Sequence, residues 1–213
     1  MKKSLLSLIF LALVYVSSAQ THLYENPDFD RLTTSHEMIA ILPFKASVTL
    51  RPKQMKDITP EQLQKMEESE GLSIQSAMHS WFLKRDKQKK LKIKVQDPNT
   101  TNALLRRNNI TPEYIADYTP DELADILGVD AVIMGTFETN KPMSEGASVA
   151  LGMLVGFYGT TNKAIINLSI YNAEQGELLV NYNKAVAGSF GSSTEDLINI
   201  LMRKASRRIS YTD

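Results

Sequence analysis

Histidine, carboxylate and basic side chains are the groups here that could do chemistry, and their spacing decides what kind. The chain has three histidines, His22, His36 and His79, and no cysteine. No two of the histidines stand three or four residues apart, the helical spacing that aims two imidazoles at one metal. His36 adjoins Ser35 and Glu37, but a catalytic triad is assembled across a fold and not along a chain. His79 lies between Met78 and Trp81 on an amphipathic stretch and reads as a boundary histidine near a core tryptophan. No nucleophile elbow, phosphate-binding loop, zinc-protease motif or dinucleotide fingerprint occurs. The sequence therefore marks no catalytic, cofactor-binding or metal-ligating residue and implies no cofactor. Carboxylates far apart in sequence can still meet, so an envelope hydrolase stays open as an alternative.

Two stretches invite a binding role instead. Lys84, Arg85, Lys87, Lys89 and Lys90, continued by Lys92 and Lys94, form a basic run interrupted only by Asp86 among charged residues. It reads first as a solvated helix C-terminus, favoured by the dipole, leading into a lysine-lined edge strand. Its sharper reading is a patch for an anionic envelope polymer or lipid headgroup. Arg203, Lys204, Arg207 and Arg208 repeat the choice near the C-terminus. The second stretch, 146–159, carries no charge and many small residues. Its candidate contact residues are Gly146, Val149, Leu151, Gly152, Leu154, Gly156, Phe157, Tyr158 and Gly159. It is short for a membrane span, which takes about 20 residues. It suits either a buried connection or an apolar surface for a partner or bilayer.

Periodicity supplies the elements that must position these groups. Met38 to Phe44 is a short apolar run of the kind buried on both faces of a sheet. Thr59-Pro60, Thr111-Pro112 and Thr119-Pro120 each put a hydroxyl N-cap before proline, and Asp97-Pro98 does the same with a carboxylate. Each is read as a helix start. Ile74, Ala77, Met78, Trp81 and Phe82 form one helical stripe, with Gly71 as a possible break from the piece beginning at Thr59. Leu91, Ile93 and Val95 alternate with polar residues as an edge strand does. Strands over 129–137, 163–173 and 178–188 follow, the last two a hairpin through Asn172 to Gly176. A capping box at Ser192 to Glu195 opens a terminal helix with the stripe Leu197, Leu201, Ala205 and Ile209. The expected fold is α/β: a mixed sheet of about five strands covered by helices, with a Gly-rich apolar insertion over 140–162 before a C-terminal hairpin and helix.

The first nineteen residues have the parts of a secretory signal. Lys2 and Lys3 precede an apolar run from Leu5 to Val16, and Ser17-Ser18-Ala19 supplies small residues for cleavage before Gln20. Residues 20–37 read as an extended lead-in, and 38–213 as one α/β domain. With no cysteine there is no lipidation site, so the expectation is an exported protein, periplasmic or outer-membrane-associated and not lipidated. Basic and acidic residues balance at 24 each, which gives no reason to expect nucleic acid.

Gly128 to Gly135, Ala164 to Asn172 and Gly176 to Val180, with Ile39 to Phe44 and Asn102 to Leu105, resemble the core of the curli secretion-channel subunit family. They are also similar to outer-membrane lipoproteins that activate penicillin-binding proteins and to the N-terminal domain of the Tol-Pal beta-propeller protein. The chain looks like exported proteins of Bacteroidetes with the same layout. The resemblance implies non-enzymatic work by contact: secretion, assembly or regulation in the envelope, with an envelope protein or a second copy as partner. In the channel family, the connection matching 140–162 enters the membrane. This chain lacks room for a second such hairpin after Gly188 and lacks the lipobox cysteine. Both departures favour a periplasmic adaptor over a self-assembling pore, which remains the alternative.

Overall fold

The computed structural model describes residues 21–50, 52–56, 58–140, 163–187 and 194–212. The signal segment, most of the 140–162 insertion with its candidate contact residues from Gly146 to Gly159, and the Ser192 cap lie outside them.

The strands are β1 (Thr21–Glu25), β2 (Met38–Ile41), β3 (Lys45–Val48), β4 (Lys94–Val95), β5 (Ala131–Thr139), β6 (Lys163–Asn172) and β7 (Leu178–Ala187). They form one mixed sheet in the order β1-β7-β6-β5-β2-β4. β2 and β3 run parallel to successive halves of β5, with a break at Leu42-Pro43-Phe44. The α/β fold and the terminal hairpin are as the periodicity predicts. Two strands are additional. β1 lies within the expected lead-in and shows no buried position, so it carries no core pattern to read. β3 lies in the expected loop after Phe44, where only Ala46 and Val48 face inward.

Helices cover both faces. α1 (Phe29–Leu32) and α2 (Pro52–Met55) are short. α3 (Pro60–Lys87) is the longest among the described residues, where α4 (Pro98–Arg107), α5 (Pro120–Leu127) and α6 (Thr194–Ala205) follow. α3 and α6 share a core with one face of the sheet: Ile74, Met78 and Phe82 from α3, Leu201, Met202 and Ala205 from α6, and Ile39, Ile133, Phe137 and Ile166 beneath. α4 and α5 close the other face through Leu105, Leu123, Ala124 and Leu127 over Ala40, Leu42 and Val132. Burying such side chains contributes roughly 1.5–3 kcal/mol each before chain entropy is subtracted.

The caps explain most boundaries and one exception. Thr59 and Thr119 form capping boxes with Gln62 and Glu122, and Asp97 accepts from the Asn99 amide. Thr111-Pro112-Glu113 opens no α-helix. The chain there makes turns and a short 3-10 piece, Ile115–Asp117, before the next cap at Thr119. Buried Ile110 and Ile115 hold it down, leaving too little chain for a packed helix between the two caps. Gly71 breaks nothing: α3 runs through it. A Cβ at Gly71 would stand 2.0 Å from the Phe44 carbonyl oxygen, and the Phe44 amide donates to the Gly71 carbonyl at 3.3 Å. The glycine serves contact between helix and sheet rather than helix termination.

Candidate functional site

The site begins with the stripe that builds the core. Ile74, Met78 and Phe82 recur at spacing four on α3, and the next position on that face is Arg85. A cation is thus carried inside by the periodicity of its helix. Arg85 is only 5% exposed. It is covered by neighbouring side chains close to the surface rather than sunk beneath the sheet. Its Nη1 donates to Gln88 Oε1 at 3.1 Å. Its Nε and Nη2 are closed to solvent and have no hydrogen-bond partner. Those two nitrogens form the edge of a guanidinium that grips carboxylate or phosphate with two parallel bonds. Burial, then the charge of Arg207, lower the Arg85 pKa from its ordinary value. The group keeps its proton all the same, because arginine does not lose it in proteins.

Beside Arg85 lies an open cavity of about 590 Å³ lined by Trp81, Lys84, Arg85, Gln88, Lys90, Arg203 and Arg207. Two basic stretches more than a hundred residues apart in sequence therefore meet in one place. Trp81 ties the helices together, its Nε1 donating to Asn199 Oδ1 on α6 at 3.4 Å. Lys84 Nζ sits 4.4 Å from the Trp81 ring centroid, a cation–π contact of about 0.5–1 kcal/mol at an exposed site. Lys90 reaches the cavity because the chain turns sharply after α3. Lys89 takes φ 56°, and the Lys90 and Lys89 amides donate to the Arg85 and Asp86 carbonyls. That is a Schellman closure with lysine where glycine is usual. Of the five basic residues singled out in sequence, Lys84, Arg85 and Lys90 line the cavity, Lys87 lines an adjoining hollow with Leu83, and Lys89 lines neither. Trp81 and Gln88 complete the wall, and charge patterning alone does not mark them.

The other chemical candidates lie apart. His36 Nδ1 and Tyr211 Oη share a 2.6 Å hydrogen bond that clamps the C-terminal turn. Burial first holds His36 below the ordinary histidine pKa and lifts Tyr211 above that of tyrosine. His79 is half-buried and likewise lowered by burial, while His22 is exposed on β1. A hollow of about 130 Å³ gathers Glu67, Glu68 and Glu113. Gln64 Nε2 donates to both Glu68 and Glu113, at 3.1 and 3.3 Å, and Glu67 accepts from the Val48 amide. Glu113 is exposed and Glu68 partly so, which leaves this pair wet, unlike the buried carboxyl a general acid needs. Among the described residues no group of histidines and carboxylates could hold a metal ion, and no helix is long and apolar enough to cross a membrane.

No protein-family model and no curated protein matches the chain. Among solved structures it is similar to the PelC dodecamer from Paraburkholderia phytofirmans, at 10% identity and TM-score 0.45, over 89% of this chain and 95% of that one. It is similar to lipoprotein GNA1162 from Neisseria meningitidis, at 16% identity and TM-score 0.43, over 81% and 96%. The C-terminal domain of LpoB from Salmonella enterica matches at 9% identity and TM-score 0.35, over 76% and 94%. The likeness is one of chain outline.

Proposed function

We propose that this chain is a non-enzymatic protein of the cell envelope that works by contact, as an adaptor or regulator, and holds an anionic group of its partner in the cavity between α3 and α6. One observation carries the reading: the Nε–Nη2 edge of Arg85 is buried and unpartnered beside a cavity walled by four more cations. A buried unpaired charge is costly. An anion that draws the guanidinium into the cavity turns that cost into a charge-assisted pair. The placement in the envelope rests on the signal-like N-terminus.

Trp81, the chain's one tryptophan, stands in the cavity wall and reports occupancy. Titration with inorganic pyrophosphate is expected to change its emission saturably, and Arg85→Met is expected to abolish the change. An unchanged spectrum across pyrophosphate, citrate and sulfate would sink the proposal. A hydrolase acting through Glu68 and Glu113 would instead lose turnover of an envelope polysaccharide in Glu113→Gln.

A further inference from the structure

Building on that reading, we infer that the anion held in the cavity is the phosphoryl group of a lipid headgroup. Three observations point there. The first is charge number. Arg85, Lys84, Lys90, Arg203 and Arg207 converge on one cavity, and the negative end of α3 offsets only about half a charge. One bidentate arginine satisfies a carboxylate; a wall of five cations suits a group carrying more than one negative charge and several acceptor oxygens. The second is size. At about 590 Å³ the cavity has room for a phosphate together with the polar group that bears it.

The third is what lies next door. The hollow that shares Lys84 and Gln88 with the cavity is walled by Leu83 and Lys87. Leu83 is 51% exposed, the most exposed of the large apolar side chains among the described residues. A leucine standing clear of the surface, with lysines on its own helix turn, suits an acyl chain leaving a headgroup. Lysine stems lie along apolar material while their ammonium groups stay at the phosphate level. An acidic polysaccharide would use the cations and leave Leu83 without a role.

The test uses the full chain and phosphatidylcholine vesicles with or without phosphatidic acid. Cosedimentation and the Trp81 emission shift are the two readouts. Expected is binding only to the vesicles with phosphatidic acid, competed by pyrophosphate. Binding should be reduced at least tenfold by Arg85→Met and by the exposed double variant Arg203→Gln/Arg207→Gln, which spares the core. Vesicle binding that survives both variants would come from another surface and overturns the inference. Pyrophosphate binding without vesicle binding overturns the lipid and leaves the proposed function standing. Polygalacturonate binding more tightly than the vesicles does the same and puts a carboxylated polymer in its place. No binding to any of these anions overturns the inference and the proposed function together.

Discussion

Arg85 and Lys184 are both buried cations with basic residues of the C-terminal segment close by, and they differ in what accepts from them. Lys184 lies on β7 between Tyr182 and Val186, the inward residues under α6. Arg85 closes the inward stripe of α3. α6 and the turn after it set basic residues beside each, Lys204 and Arg208 near Lys184 and Arg207 near Arg85. Lys184 has an acceptor inside the protein: its ammonium donates to Thr21 Oγ1 on β1, directly across the strand pair. The outer edge of Arg85 has none. An internally satisfied cation tethers a strand. A cation left short of an acceptor beside an open cavity has room to take one from outside.

Replacing Arg85 should break this contrast most sharply. Arg85→Met removes about 2–3 kcal/mol of charge-assisted hydrogen bonding to an anion, on the order of 100-fold in Kd. The same change should raise stability by about 1 kcal/mol in urea denaturation, because two unsatisfied buried donors disappear. Loss of stability together with loss of binding would recast Arg85 as a structural residue. Gln88→Glu should narrow the contrast by setting a carboxylate where Arg85 Nη1 now finds an amide oxygen. Affinity for pyrophosphate is then expected to fall about tenfold while stability gains roughly 0.5–1 kcal/mol, modest because position 88 is exposed. Arg207→Gln should weaken pyrophosphate binding by about 3- to 10-fold and flatten its salt dependence, read as affinity at two ionic strengths.

The smallest effect is expected at Lys184. Lys184→Met should leave anion binding unchanged. Burial, then Lys204 and Arg208, hold the Lys184 pKa below its ordinary 10.5. The folded chain therefore gives up this proton at lower pH than the unfolded chain. Between the two values the unfolded state binds more protons, so stability rises with pH through that window. Denaturation of both proteins from pH 8 upward should show wild type gaining on Lys184→Met as pH approaches 10.5. A constant difference would mean that Lys184 is not desolvated.

The parts of this picture that sequence shows are those governed by near neighbours. Thr59 and Thr119 announce their helices because a cap acts within three residues, and β6 and β7 pair through a local turn. Thr111-Pro112 carries the same local signal, yet packing of Ile110 and Ile115 overrides it. β1 escapes notice because an edge strand with five exposed residues leaves no burial pattern to read. The site divides the same way. Each basic stretch is visible alone, and a charge run is ordinarily a solvated face. That Arg85 falls on the buried stripe follows from counting on from Phe82. That Arg203 and Arg207 face it depends on how α6 packs against α3, a contact made between residues over a hundred positions apart.

Gly71 bears on the site from a distance. Its missing side chain lets α3 rest on the backbone at Phe44, which pins the long helix against sliding along or turning about its axis. Arg85 stands about four turns and ~21 Å further along the same rigid rod. A slip of one residue at the pin would swing the guanidinium by about 100° and carry it off the cavity wall. The angular setting of the anion grip is therefore decided where the helix rests on the backbone at Phe44, by a position holding nothing larger than hydrogen.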